Sequence, residues 1–219
     1  WLQTACPQGI IPLAMASVLS AVRRAVARCS CGSASLELLH RTPVVHLECA
    51  CKDCRQAVEW AASKGGPPAS LVQKLHYFEN DIGQVQGESH MEVYALREGV
   101  HCSRCVATCC HTVLATDHYF YFGKVFSVNA SSCYLDADPA PAYSRLYMKD
   151  YPAEAEAPPP FAGAGAEVTG DEKDWFELSG HRPFFANAGR VPRSGSTIQD
   201  LFSRLPFRVL NLPEGQRLA

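Results

Sequence analysis

Three cysteines stand close together in the stretch ECACKDCRQ, residues 48–56, where they form a C-x-C-x-x-C pattern. Thiolates this close in sequence can face one centre only if the backbone turns sharply around it, and a tetrahedral Zn²⁺ ion is the usual centre. Three protein ligands leave the fourth coordination position open, as in reactive zinc sites and unlike closed structural ones. The pattern therefore predicts a reactive zinc site whose ligands are Cys49, Cys51 and Cys54.

Two more cysteine pairs have the spacing of metal half-sites, Cys29-x-Cys31 and Cys102-x-x-Cys105. Together they supply the four thiolates of a closed structural zinc site. Such a site would join the first β turn to a turn roughly seventy residues later, and it would contribute folding free energy directly.

The number of cysteines bears on the compartment in which the chain works. Eleven cysteines in 219 residues would also suit a secreted disulfide scaffold. However, the tight spacings are those of metal ligands, whereas disulfide partners are usually spread across loops, and an odd total leaves one thiol unpaired. The sequence therefore indicates metal ligation in a reducing, intracellular compartment, either cytoplasmic or organellar.

The composition is that of a folded chain without a strong overall charge. Hydrophobic residues make up 47% of it, enough for the core of one domain, and the formal net charge is −2. Such a charge supplies no field for holding nucleic acid, so no nucleic-acid partner is expected. Residues 1–27 predict an amphipathic helix or the remnant of a targeting segment, and their apolar run is too short to span a membrane.

The elements that must position the cysteines are mostly short strands. Alternating runs between Gly, Pro, Asn and Asp turns predict a mainly β, zinc-binding domain over residues 28–136. One short helix, residues 55–63, leaves the three-cysteine loop and ends at a Gly-Gly-Pro-Pro sequence. The aromatic stretch 119–128 predicts a further strand whose rings pack in the sheet.

Two segments follow this domain. Residues 137–170 are rich in Pro and Ala and predict a linker. Residues 171–219 carry scattered aromatic residues and one short helical candidate, residues 197–205. This extension is too small to bury much by itself, so we expect it to pack on the β domain or on a protein partner.

The order of the cysteine motifs resembles that of a known family. C-x-C-G, then C-x-C-x-x-C-R, then C-x-x-C followed by a Thr and a strand is similar to the glutathione-dependent formaldehyde-activating enzymes and centromere protein V, over roughly residues 28–130. The resemblance implies a β-tent-like fold of two small sheets with two zinc ions. It also implies that the structural ligands are Cys29, Cys31, Cys102 and Cys105, and that the catalytic ligands are Cys49, Cys51 and Cys54.

This chain departs from the family pattern at the last cysteine pair. The family usually has Gly-Thr directly after its final cysteine, whereas Val106 and Ala107 follow Cys105 here. Alignment on Thr112 would instead make Cys110 a structural ligand, with Cys109 as its companion. Because two thiols in a C-x-x-C turn chelate more readily than adjacent ones, we expect the first pair, and the second stays open as the alternative.

Two functions fit these residues. The resemblance implies a zinc-dependent carbon–sulfur lyase or synthase that acts on a small thiol adduct such as S-hydroxymethylglutathione, since a three-thiolate zinc is soft enough to accept a fourth sulfur. Arg55 and Asp53 would handle a substrate carboxylate or a proton, unless Asp53 only caps the helix. The alternative is a zinc-stabilised structural or protein-interaction module without catalysis, whose C-terminal extension recruits the partner.

Overall fold

The computed structural model describes residues 24–163, 167–168, 188–189 and 192–214, and this part of the chain has a mainly β fold. Thirteen short strands form two sheets, and two α-helices pack against them. The predicted fold class is therefore confirmed. None of the helices in these ranges has the length and apolarity needed to cross a lipid bilayer.

The elements follow one another in chain order. The strands are β1 (Ala25–Arg28), β2 (Ser35–Leu38), β3 (Val45–Cys49), β4 (Gln73–Glu79), β5 (Ile82–Gln86), β6 (Met91–Ala95), β7 (Cys102–Ala107), β8 (Thr112–His118), β9 (Val125–Asn129), β10 (Tyr134–Asp136), β11 (Ser144–Leu146), β12 (Glu167–Val168) and β13 (Phe207–Val209). The helices are α1 (Lys52–Ser63) and α2 (Ile198–Arg204).

The two sheets differ in size. Within the described ranges the small sheet has the order β10-β1-β2-β5, and the large sheet has the order β12-β11-β3-β4-β9-β8-β7-β6-β13. Pairing is antiparallel except at the ends of the large sheet, where β11 runs parallel to β3 and β12, and β13 runs parallel to β6. The antiparallel hairpins β1–β2 and β7–β8 carry the turns that hold one group of cysteines.

The main core lies between the two sheets. Alternate residues of strands point to opposite faces, so Leu36 and Leu38 of the small sheet meet Phe78, Leu114 and Phe126 of the large one, all essentially inaccessible to solvent. The opposite face of the large sheet is covered by α1. There the helix residues Val58, Trp60 and Ala61 pack against Tyr94, Val106 and Val113 of β6, β7 and β8.

Helix α1 begins earlier than predicted because a cysteine caps it. Cys51 has an extended backbone, and its sulfur accepts a hydrogen bond from the N–H of Cys54. At the other end Gly66 passes close to the β7–β8 turn, since a Cβ there would lie 2.7 Å from the carbonyl oxygens of Ala61 and His111. Only glycine fits this approach.

The described part of the C-terminal extension packs on its own domain. Thr197 and Asp200 form a capping box at the start of α2, and the N–H of Ile198 donates to Asn80 Oδ1. Ile198 and Leu201 are fully buried in the main core. Strand β13 then extends the large sheet beside β6. The extension therefore completes the domain.

Three local predictions need correction. Residues 1–23 lie outside the described ranges, and the end of the expected N-terminal helix is the strand β1. The Pro- and Ala-rich segment, residues 137–170, is more than a linker, because it contains the strand β11, which pairs with β3. The aromatic stretch begins with a 3-10 turn, Tyr119–Tyr121, since Phe122 and Gly123 adopt left-handed conformations that interrupt a strand.

The packing of α2 generates a test of the fold. Leu201→Ala should lower the free energy of unfolding by about 2–5 kcal/mol, because it removes a fully buried side chain from the main core. Ser203→Ala, on the exposed side of the same helix, should cost less than about 0.5 kcal/mol. Urea unfolding of both variants measures the difference. Equal losses would mean that α2 does not pack on the core.

Candidate metal centres

Seven of the ten described cysteines form two groups, and within each group the sulfur atoms all lie within 4.8 Å of one another. The four-cysteine site consists of Cys29, Cys31, Cys109 and Cys110, and the three-cysteine site consists of Cys49, Cys51 and Cys54. Both groups could hold a metal ion. The three cysteines of the middle motif lie together, as predicted. Cys29 and Cys31 also lie together, but beside Cys109 and Cys110 and not beside the expected Cys102 and Cys105.

The sulfurs of the four-cysteine site have the spacing that zinc requires. The Cys29 and Cys31 sulfurs are 3.6 Å apart, those of Cys31 and Cys109 are 3.3 Å apart, and those of Cys109 and Cys110 are 3.9 Å apart. Four sulfurs around a tetrahedral zinc, each at about 2.3 Å, stand about 3.8 Å from one another. The arrangement fits a closed tetrathiolate centre.

The preference for Cys102 and Cys105 as partners of Cys29 and Cys31 was wrong. Both cysteines lie in β7, where residues three positions apart point to opposite faces of the sheet. Cys105 is buried in the main core between the sheets. Cys102 lies on the α1 side, where its charge interactions are with Arg104 first and then with Cys51, Asp53 and Asp117. A turn, and not a strand, would be needed for the two thiols to chelate one ion.

Two tight turns present the four sulfurs. Gly32 ends the first cysteine motif in a left-handed conformation, its N–H donates to the Cys29 carbonyl at 3.0 Å, and the N–H of Ala34 donates to Cys29 Sγ at 3.2 Å. The second turn is the tip of the β7–β8 hairpin, where Cys109 and Cys110 precede His111, also left-handed at φ 48°. These conformations turn the backbone so that neighbouring thiols face inward.

Thr112 joins the two turns directly, a role that the sequence did not reveal. Its hydroxyl accepts a hydrogen bond from the Ser30 N–H at 3.1 Å and donates to Ser30 Oγ at 3.0 Å. The same oxygen lies 3.1 Å from Cys110 Sγ, and the residue is completely buried. One side chain therefore aligns residues that are 82 positions apart in the chain.

The environment ionises some of these thiols more easily than others. Burial raises the pKa of Cys110, but hydrogen bonds from Ser30, from Thr112 and from the Cys31 backbone outweigh it and lower that pKa to about 6. Hydrogen bonds from Ser33 also lower the pKa of Cys31. Burial raises the pKa of the other two thiols, Cys29 and Cys109. Since a thiolate is the form that binds metal, an ion at this site would displace the protons of those two.

The three-cysteine site lies where β3 passes into α1. Cys49 is the buried last residue of β3, Cys51 is the N-cap of the helix, and Cys54 lies in its first turn. The N–H of Cys54 donates to Cys51 Sγ at 3.3 Å. The N-terminus of a helix stabilises negative charge, but the three thiols do not ionise equally. Hydrogen bonding with its two neighbours and burial keep the pKa of Cys49 well above its usual value, and the pKa of Cys51 is also raised. Hydrogen bonds from Cys49 and Cys51, followed by the charge of Arg104, place the pKa of Cys54 well below its usual value.

Two predicted ligand-handling residues are engaged elsewhere. Arg55 is buried, donates to the backbone carbonyl of Asp150 at 2.6 Å and pairs with Glu59 at 3.4 Å. Asp53 forms an ion pair with Arg97. The expectation that Arg55 holds a ligand carboxylate therefore finds no support in its contacts, which fasten α1 to the segment after β11 and to its own next turn.

Arg104 is the cation that the sequence analysis missed. It is 3% exposed, and its Nη2 lies 3.5 Å from the backbone carbonyl of Asp53, in the first turn of α1. Its strand position places it on the same face as Cys102, two residues earlier. Because the C-x-x-C spacing predicts a turn and not a strand for this cysteine pair, the alternation that puts Arg104 beside Cys102 gave no signal in advance. Burial lowers the pKa of Arg104, but the interaction with the ionised forms of Cys102 and Cys54 and with Asp53 outweighs it and raises that pKa.

Two buried phenols lie in the apolar cluster beside the three-cysteine site. The hydroxyl of Tyr121 donates to that of Tyr77 at 3.2 Å, and both rings belong to the cluster that contains Cys49. Burial and then the charge and hydrogen bond of Tyr121, followed by the charges of Cys49 and Cys54, keep the pKa of Tyr77 well above its usual value. Both hydroxyls therefore stay protonated at neutral pH.

Metal content measured in single variants tests the ligand assignment. Cys109→Ser should lose about one bound metal per chain relative to the wild type, because it removes one of four converging thiolates. Cys105→Ser is the matched control, since Cys105 is buried but belongs to neither group. Elemental analysis of the folded proteins gives the stoichiometry. Loss of metal in the Cys105 variant alone would restore the original assignment.

No protein-family model matches the sequence, and no curated protein matches it either. What the two cysteine groups do must therefore be inferred from their own geometry and chemistry.

Proposed function

We propose that both cysteine groups bind zinc and that the three-cysteine site is a carbon–sulfur lyase or synthase centre for a small thiol adduct such as S-hydroxymethylglutathione. The carrying observation is the difference between the groups: four sulfurs surround one centre, whereas three surround the other. A closed tetrathiolate zinc is structural, and a trithiolate zinc keeps one position for an exogenous ligand. Zinc in such a site would stabilise the thiolate form of the ligand's sulfur.

The reaction joins or separates a thiol and a small aldehyde. In the synthetic direction the S–H bond and the π bond of the carbonyl break, a carbon–sulfur bond forms between the thiol sulfur and the carbonyl carbon, and the carbonyl oxygen takes the proton that the thiol loses. Tyr77, kept protonated beside Cys49 and Cys54, can donate a hydrogen bond to that oxygen. The apolar residues around Cys49, including Leu47 and Leu146, exclude water from the reacting atoms.

The resemblance to the formaldehyde-activating enzymes and centromere protein V supports this proposal once the chain is aligned on Thr112. That alignment makes Cys109 and Cys110 the last structural pair, which agrees with the sulfur geometry. His111 then stands where the family has glycine, and its φ of 48° is a conformation that glycine adopts freely. A β-tent-like arrangement of the two sheets is part of the same proposal.

A zinc-stabilised interaction module without catalysis is the second candidate. The turn after β8 favours it, because Tyr119 and Phe122 are 64% and 61% exposed and form a surface suited to a protein partner. The apolar face of α2, in the C-terminal extension, cannot bind a partner in this way, because Ile198 and Leu201 are already buried.

Glutathione titration separates the two candidates. X-ray absorption at the zinc edge should show an additional sulfur ligand when the zinc protein is saturated with glutathione, because the three-cysteine site accepts a soft ligand. The response should disappear in Cys51→Ser, which removes one of the three thiolates. A spectrum of two four-sulfur sites that does not change with glutathione would favour the interaction module.

The two sites should differ in their effect on stability. Cys31→Ser should unfold the domain or strongly lower its melting temperature, because the four-cysteine site joins segments about eighty residues apart. Cys51→Ser should give a folded chain with one metal fewer. The three cysteines of its site lie within one short loop, so a metal bound there restricts the unfolded chain only slightly. Calorimetry with metal analysis measures both effects. Equal losses of stability would contradict different roles.

A further inference from the structure

Arg104 has an unusual position for an arginine. It lies on an inner strand of the large sheet with almost no exposure, and its Nη1 is buried without a hydrogen-bond partner among the described residues. Its Nη2 makes only a long contact, 3.5 Å, with the Asp53 carbonyl. A buried guanidinium with an unpaired donor is costly unless an anion accepts from it. The residue is therefore suited to a ligand that the three-cysteine site receives.

The charges around the site favour the same conclusion. Three thiolates and one Zn²⁺ carry a net charge of −1, and an anionic fourth ligand would bring the centre to −2. Burying that charge without compensation is expensive. Asp53 is already paired with Arg97, and Arg55 is engaged by Asp150 and Glu59, so neither arginine compensates the centre.

The groups that face Arg104 leave it as the compensating cation. They come from three elements: Cys51, Asp53 and Cys54 from α1, Cys102 from β7, and His118 from β8. Burial raises the pKa of Cys102 to about 11, so that this thiol is neutral at pH 7. Burial also lowers the pKa of His118, and the charge of Arg104 lowers it further, so that the imidazole is neutral as well.

We propose that Arg104 is the anion-binding residue of the three-cysteine site, and that it makes this site bind its fourth ligand as an anion, a small thiolate, in preference to a neutral donor. The inference rests on the proposed function, because it requires an exogenous thiol at that position. It replaces Arg55 by Arg104 as the residue that recognises the ligand's charge. The recognised charge is that of the sulfur itself, not of a distant carboxylate.

The test uses the full chain loaded with cobalt(II), whose absorption changes when a new thiolate binds, and 2-mercaptoethanol as the probe. This probe carries no carboxylate, so only the charge on its sulfur can contribute. Arg104→Gln should bind it about tenfold more weakly or worse at pH 7, because the charge-assisted contact is lost. Arg104→Lys should retain most of the affinity. Arg97→Gln, which removes an equal charge beside the same helix turn, should stay within about twofold of the wild type.

The outcomes separate this inference from the function on which it rests. If the wild-type cobalt protein shows no response to the thiol, the proposed function fails. If it responds and a folded Arg104→Gln variant binds with wild-type affinity, the role of Arg104 alone is overturned. If that variant does not fold, proton release by the wild type decides. At a pH below the pKa of free 2-mercaptoethanol, a thiol that binds as thiolate must release one proton per site. Binding of the thiol without proton release would contradict the inference.

Discussion

The contact between two cysteine turns on different sheets is the constraint on which the rest of the fold depends. One turn ends β1 in the small sheet, the other is the tip of the β7–β8 hairpin, and Thr112 holds them together with hydrogen bonds to Ser30. A metal bound by the four sulfurs would fix the same contact covalently. The register of the main core follows, because Leu36 and Leu114 can interdigitate only when the two sheets are held at this distance.

The three-cysteine site uses a different kind of support. Its ligands are local, and the junction between β3 and α1 determines their positions. What the fold adds is the surroundings: the phenols of Tyr77 and Tyr121 come from β4 and the turn after β8, and the guanidinium of Arg104 comes from β7. The surroundings of the site therefore depend on strands that provide none of the three thiols.

The sequence was sufficient for what depends on local spacing and insufficient for what depends on register. The middle motif predicted that its three thiols lie together, because C-x-C-x-x-C places them in one loop, and the turn residues predicted the mainly β class. The sequence could not show which cysteine pair lies beside Cys29 and Cys31. Of the candidates, Cys102 begins the strand β7 and Cys109 lies just beyond its other end, and the direction in which side chains of β7 point is determined only by its pairing with the neighbouring strands. The contact of Arg104 with α1 is likewise tertiary.

The long-range attachment of α2 has a kinetic consequence. The bond from Ile198 to Asn80 spans 118 positions, and the contact between the cysteine turns spans about 80. Chains whose native contacts are this distant in sequence fold slowly, since loop closure must precede the contacts that compensate for it. Until β13 has docked, β6 presents an unpaired edge and the main core lacks Ile198 and Leu201. Assembly of this domain therefore passes through species that can associate with each other through that edge.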